Sequence, residues 1–283
     1  MSDNNLLCAM PESLALIAGK GVYPLLLAQS AKKQGVKRVC AIAFKHETES
    51  AIEECADEVT WLKLGQLQAL LDAVKKTGIT HAVMAGQLTP TALFYVRLDA
   101  LALSELGRLK VRNAETIFGT VADLLKKNGT ELLPASKFME SHMPVAGILT
   151  SRRPNEREEA DIQLGFKAAK TTSGIDIGQT VVVKEGIILA VEAFEGTNAT
   201  IRRAYDLQGT GTVVVKVAKR DHDMRFDIPV IGMDTMKLLK KVRAAVLAVE
   251  AGRTIILEQE KVVEEADRSV SYTHLTLPTN REV

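Results

Sequence analysis

Apolar and β-branched residues along the first half of the chain follow two alternating rhythms. The short run Leu14–Ala18 reads as a buried strand, and Val39–Phe44, Glu58–Leu62 and His81–Ala85 read as further strands. Between them, Tyr23–Gln34 and Leu67–Lys76 place apolar residues at helical spacing, and Gly35 and Gly78 stop these helices. Leu98–Leu109 and Ala114–Lys127 are also helical, with Gly129 ending the second, and Leu132-Leu133-Pro134 offers a last short strand. This alternation predicts a parallel sheet covered by helices.

The second half changes character. Arg157–Lys170 is helical. The apolar runs Thr180–Val183 and Ile187–Val191 flank the turn Lys184-Glu185-Gly186 and predict a hairpin. Strands are predicted over Gly209–Val217 and Ile228–Ile231, then a helix over Asp234–Lys241 capped by Asp234. Ala244–Val249 and Thr254–Leu257 read as strands around a Gly252 turn, and Glu258–Ala266 as a helix. Pro144, Gly147, Pro154 and the basic pair Arg152-Arg153 of His142–Asn155 mark a linker. The expected organisation is an α/β domain over 1–140, a linker over 141–155 and a mixed α/β domain over 156–270. Residues 271–283, in "SVSYTHLTLPTNREV", carry no periodicity and read as a non-native tail of adaptor or vector type.

Composition narrows the function. The 283 residues carry 36 basic and 35 acidic side chains, so the net charge of +1 gives no global footprint for nucleic acid. Cys8, Cys40 and Cys55 lack CxxC spacing, which fits reduced thiols, with Cys40 as a small core residue. No run approaches the roughly 20 apolar residues that span a bilayer, and Met1-Ser-Asp-Asn-Asn lacks a signal peptide's basic flank. A cytoplasmic protein is expected, with peripheral membrane contact left open.

Three stretches invite chemistry. Gly19-Lys20-Gly21 joins a strand to a helix, and the N–H groups of such a turn favour an anion. It matches neither standard nucleotide signature, and a plain tight turn explains it as well. Gly86-Gln87 stands at another strand's carboxyl end, where open α/β sheets bind ligands. In "KVAKRDHDMRFDIP", an extended chain would point Asp221, Asp223, Arg225 and Asp227 to one side. Their charges call for a divalent cation, while a salt-linked surface loop is the plainer alternative. Scattered histidines argue against zinc, and no GxSxG elbow appears. The outer ends of the hairpin gather Asp176, Gln179, Glu192, Glu195 and Thr197, which the returning chain makes neighbours.

Taken in order, "LIAGKGVYPLLLA", "VMAGQLT", "DIQLGFKAA", "DIGQTVVVKEGIILAVEAFEGT", "VKVAKRDHDMRFDIPVIG" and "AVEAGRTIILE" resemble the LpxI family of UDP-2,3-diacylglucosamine pyrophosphatases of lipid A biosynthesis, over roughly residues 13–268. The resemblance implies a Rossmann-like N-terminal domain, a C-terminal α/β domain and an active-site crevice between them. It implies Mg²⁺- or Mn²⁺-dependent hydrolysis of the substrate pyrophosphate to UMP and 2,3-diacylglucosamine 1-phosphate. It also implies a cytoplasmic homodimer working peripherally at the inner membrane of a Gram-negative-type bacterium, with no nucleic-acid partner.

On that resemblance Asp223, Asp227 and Arg225 are catalytic, and Asp223, Asp227 and Glu192 hold metal. Gly19, Lys20, Gly21, Gly86, Gln87, Asp176, Gln179, Glu195, Gly196, Thr197 and Lys219 contact substrate. The chain departs from the family pattern at Asn198, where Asp is usual. It also departs at Lys219-Arg220, at His222 and at Asn113-Ala114, which replaces an acidic pair. Two rival classes are a dinucleotide-dependent oxidoreductase and a non-catalytic nucleotide-sugar or lipid binder. The first needs a complete glycine fingerprint and an acidic residue about 20 positions on, and Glu47 and Glu49 are off-register. Turnover separates the second from the enzyme.

Overall fold

A computed structural model describes residues 10–87, 96–111, 113–219, 223–226, 228–268 and the backbone of 272–273. The chain forms two compact units. The first comprises residues 1–139 together with Asp223–Asp227, and the second comprises residues 140–222 and 228–283.

In the first unit, β1 (Ser13–Ala18), β2 (Arg38–Phe44), β3 (Glu58–Leu62), β4 (His81–Ala85) and β5 (Glu131–Leu132) form one sheet in the order β3-β2-β1-β4-β5. Every pairing is parallel. This is the strand order of a Rossmann-like doubly wound sheet, with its switch point between β1 and β4. Continuous burial of β1, β2 and β4 requires cover on both faces. One face packs on Leu70, Leu71 and Val74 of α3 (Leu67–Thr77) and on Ala122 and Leu125 of α5 (Ala114–Lys127). Leu27, Ala28 and Ala31 of α1 (Tyr23–Lys33) are buried, and that helix contacts β1, β2 and β4.

The short α2 (Ile52–Cys55) and α4 (Ala100–Arg108) also belong to this unit. Asp99 caps α4 by accepting from Ala102 N–H, and Asn113 caps α5 by accepting from Thr116 N–H. The Asn113 departure therefore has a structural occupation. Cys40 is 2% exposed, a core residue as expected.

In the second unit, α6 (Glu156–Ser173) opens with a capping box between Asn155 and Glu158. The hairpin forms as predicted from β6 (Thr180–Lys184) and β7 (Ile187–Val191), and Glu185 and Gly186 take positive φ in its turn. With β8 (Val213–Lys216), β10 (Val246–Val249) and β12 (Tyr272–Thr273) they form a sheet in the order β12-β10-β8-β6-β7. Strands β8, β10 and β12 run parallel, β6 runs antiparallel to β8, and β7 antiparallel to β6.

Ile162 and Ala169 of α6 cover one face of this sheet. The other face packs on Ile201 and Ala204 of α7 (Thr197–Gln208), on Met236 and Leu239 of α8 (Met233–Lys241), and on Val262 and Ala266 of α9 (Gln259–Arg268).

Two sequence expectations are corrected in this unit, and the polar stretch after β7, to which the sequence pattern assigned no element, is helix α7. The cap of α8 is Gly232, with no side-chain hydrogen bond; Asp234 lies inside the first turn, where the helix dipole still favours it. The strands flanking Gly252 do not pair with each other: β10 joins the large sheet, while β11 (Ile255–Ile256) pairs in parallel with β9 (Val230–Ile231). Among the described residues, no helix is long and apolar enough to cross a membrane.

Candidate active site

Strand direction decides which side chains collect at one edge of the second unit's sheet. The carboxyl ends of β7, β8 and β10 and the amino end of β6 share that edge, because β6 alone among them is reversed. It therefore gathers Gly178–Thr180, Glu192, Lys216–Lys219 and Glu250, and α7 starts there. Glu192 N–H donates to Thr180 C=O at 2.8 Å, and Val217 N–H donates to Gln179 C=O at 2.9 Å.

Gly178 is what lets the two ends of the hairpin close. A Cβ at this position would lie 2.1 Å from the Glu192 carbonyl oxygen. The glycine of Asp-Ile-Gly-Gln is thus demanded by backbone approach, since no side chain fits there.

A polar relay runs across this edge. Lys216 Nζ donates to Thr197 Oγ1 at 2.9 Å, and Thr197 Oγ1 donates to Glu192 Oε1 at 3.0 Å. Thr180 Oγ1 lies 3.3 Å from Thr197 Oγ1. Glu192 Oε2 is buried and has no hydrogen-bond partner among the described residues. A buried acceptor in that state is costly unless a proton donor or cation completes it. Lys219 Nζ donates to Asp176 Oδ1 at 2.6 Å, and Asp176 takes φ 59°, a backbone state that Asp tolerates.

Glu195 turns away from this relay. Its Oε1 accepts from Arg203 Nη2 at 2.6 Å and from Thr200 Oγ1 at 3.3 Å, and its Oε2 accepts from Ala193 N–H at 3.1 Å. Its own main-chain N–H and the Arg203 guanidinium hold its carboxyl below the usual range. Gly196 caps α7 at φ 81°, without a side chain. Asn198 Oδ1 accepts from Thr235 Oγ1 at 3.2 Å, so the uncharged residue at that departure ties α7 to α8.

The first unit presents its glycine turns at the switch point. Gly19 N–H donates to Ala85 C=O at 2.8 Å, Lys20 N–H to Gln87 C=O at 2.7 Å, and Gln87 N–H to Lys20 C=O at 3.1 Å. A Cβ on Gly86, at φ 96°, would stand 2.8 Å from Gly19 C and from Lys20 O. These glycines knit two turns together. The N–H groups of Gly19 and Lys20 are already spent on carbonyls, so the anion cradle read from those two positions is not what their geometry provides.

The loop beginning at Asp223 departs from the extended reading. Residues 224–226 form a turn, and Asp223 and Arg225 face each other. Arg225 Nε lies 2.9 Å from Asp223 Oδ1, and Nη2 lies 2.6 Å from Oδ2. Asp223 is thus paired in charge with its neighbour Arg225. The Phe226 ring lies 5.9 Å from the Phe118 ring and packs against the first unit's core. Ala135 N–H donates to Met224 C=O at 2.6 Å, and Tyr23 Oη donates to Ala135 C=O. Asp221, His222 and Asp227 lie outside the described residues. Among those described, no group of three or more His, Cys, Asp or Glu side chains is gathered for a metal ion.

A family model described as the LpxI N-terminal domain matches residues 13–142, and one described as the LpxI C-terminal domain matches residues 145–270. The chain belongs to the LpxI family. It is 29% identical over 267 residues to UDP-2,3-diacylglucosamine pyrophosphatase LpxI of Caulobacter vibrioides, an alignment covering 90% of this chain and 94% of that protein. Likeness to solved structures is remote. The biotin carboxylase domain of Hydrogenobacter thermophilus 2-oxoglutarate carboxylase matches with TM-score 0.28 and 14% identity, over 70% of this chain and 41% of that one. Phosphoribosylglycinamide synthetase of Anaerococcus prevotii gives 0.24 and 15%, over 69% of this chain and 42% of that one. Both are too distant to bear on function.

Of the LpxI positions anticipated in the second unit, Gln179, Glu192, Gly196 and Thr197 share the sheet edge with Lys219 and Asp176. Three members of this edge were missed. Thr180 opens β6 and Lys216 ends β8 at this edge, and Lys216 was detectable as the single charge closing the run Val-Val-Val-Lys. Glu250, 2% exposed, closes the equally apolar β10.

Proposed function

We propose that this LpxI-family chain hydrolyses the pyrophosphate of UDP-2,3-diacylglucosamine, yielding UMP and 2,3-diacylglucosamine 1-phosphate. What carries the reading is the span of the likeness: both LpxI domain models match in order, and the relative bearing that activity in its name is covered almost end to end. The local chemistry supports it. In the reaction a water oxygen bonds to one phosphorus, the bridging P–O bond breaks toward the other phosphate, and the water's protons are released. Negative charge on the phosphate oxygens must be offset as this happens.

Lys216 and Lys219 bring two ammonium groups to the sheet edge, and the amino terminus of α7 adds its partial positive charge. Thr197 holds Lys216 and Glu192 in fixed relation. Glu192 Oε2 would be an oxygen for Mg²⁺, an ion that takes one or two carboxylates together with substrate phosphates. When bound, such an ion supplies charge neutralisation to the leaving phosphate. Asp223 and Arg225 act through their own loop, and Arg225 offers a planar fork suited to phosphate oxygens. The acyl chains keep the substrate in a bilayer, so the enzyme works in the cytoplasm at the inner-membrane surface, as a homodimer.

The test is UMP release from UDP-2,3-diacylglucosamine by the purified full chain with millimolar Mg²⁺. Steady release of UMP and the sugar 1-phosphate is expected. Binding of UDP and Mg²⁺ by calorimetry with no UMP formed would overturn the enzymatic reading in favour of a binding protein.

A further inference from the structure

Glu250 and Lys170 have no part in the chemistry above, yet they form a buried charged pair at the same sheet edge. Glu250 Oε2 accepts from Lys170 Nζ at 2.6 Å, with side-chain exposures of 2% and 12%. The same oxygen accepts from Ala218 N–H at 2.9 Å, and Lys170 Nζ also donates to Ala218 C=O at 2.7 Å. Both main-chain polar groups of one residue are thus held by two charged side chains. Arg253 extends the arrangement: its Nη2 donates to Lys219 C=O at 3.0 Å, and its Nη1 lies 3.9 Å from Glu250 Oε1.

The position explains the expense. Strand β8 ends at Lys216, and the last main-chain bond to the neighbouring strand side is Val217 N–H to Gln179 C=O. The chain must then deliver Lys219, whose ammonium meets Asp176 at 2.6 Å. An apolar pair of similar volume often stabilises a fold as well as a buried ion pair does. It would leave Ala218 N–H and C=O without partners. Charge-assisted bonds are shorter and stronger than neutral ones, and here two of them seize a single residue.

We infer that Glu250 and Lys170 are positioning residues: they clamp the main chain at Ala218 so that Lys219 is presented to the substrate phosphate from one fixed place. The kinetic part of this inference rests on the pyrophosphatase reading; the clamp itself does not.

Hydrogen exchange on the full chain without substrate tests the clamp. Glu250→Gln accelerates exchange of the Ala218 amide by about tenfold or more, while amides within β6 keep their rates. An unchanged rate at Ala218 overturns the clamp. Kinetics test its purpose. Glu250→Gln lowers kcat by about tenfold with KM altered less than about threefold, and it adds no further loss in a Lys219→Met background. An equal cost in both backgrounds means that Glu250 acts structurally and not through Lys219. Should Glu250→Gln fail to fold, Lys170→Met carries the same two measurements. A wild-type chain that forms no UMP sinks the functional reading, and exchange at Ala218 then decides the clamp alone.

Discussion

Gly178 is the position at which the smallest substitution should do the most damage. Its main chain lies against that of Glu192, so the β-carbon of Gly178→Ala would stand 2.1 Å from Glu192 O, 2.6 Å from its C and 3.0 Å from its Cβ. No side-chain rotation relieves contact with a carbonyl, and Glu192 is tied by its N–H to Thr180 at 2.8 Å. The two hairpin ends must part. Overpacking costs typically 1–3 kcal/mol, and with backbone atoms as the obstacle we expect about 3 kcal/mol. That lowers the melting temperature by roughly 6–12 °C in a domain of this size.

Gly186→Ala is the control. Gly186 sits at φ 79°, and a Cβ there would meet no heavy atom within 4 Å, so only conformational strain of about 1 kcal/mol applies. Heat denaturation followed by circular dichroism reads both variants. UMP release below the transition reads the displaced Glu192–Thr197–Lys216 relay, and kcat falls in Gly178→Ala. A Gly178→Ala protein melting within about 2 °C of wild type, or above Gly186→Ala, would refute the close-approach argument.

Further expectations follow from the same geometry. Phe226→Ala removes a half-buried ring from Phe118 and the first unit's core, so it should cost about 1–2 kcal/mol in denaturant unfolding. Because Phe226 anchors the Asp223–Arg225 turn, UMP release falls by a larger factor than the fraction of unfolded protein accounts for. The Glu195 carboxyl is held below its ordinary range in the fold, so its contribution is fully present above the unfolded-state value. It disappears as pH falls through the folded-state value. Glu195→Gln therefore lowers stability by under about 1 kcal/mol near neutral pH, and its melting temperature converges on that of wild type in acid. Chelation of divalent ions abolishes UMP release, and Mg²⁺ restores it; undiminished activity after dialysis against chelator would remove the metal from the proposed reaction.

Much of the architecture lies in local pattern. The runs Leu14–Ala18 and Val39–Phe44 are apolar without alternation because both faces of their strands are covered, and that continuity already implies parallel neighbours and helices. Gly78 takes φ 68° at the end of α3, and Gly186 takes φ 79° in the hairpin turn, conformations glycine adopts without steric cost. A hairpin returns its chain, so Gly178–Thr180 and Glu192 were bound to meet whatever surrounded them. The family motifs are legible for the same reason, since most sit at ends of these strands.

What the sequence could not supply depends on contacts made far along the chain. Helix α7 buries only Thr200, Ile201 and Ala204, too narrow a face to announce itself among charges, and the sheet beneath supplies its stabilisation. Asp223–Asp227 groups with the first unit because Phe226 finds Phe118, more than 100 residues away, and no local periodicity encodes such a partner. Glu195 meets Arg203 at 2.6 Å only because the fold of α7 brings the arginine back to it. Lys170 and Glu250 meet across 80 residues, and neither charge signals in sequence that it will be buried. Composition and period determine which segments become strands and helices. Only the packed tertiary structure decides which charges find each other, because the free energy of a buried charge is set by its neighbours in space.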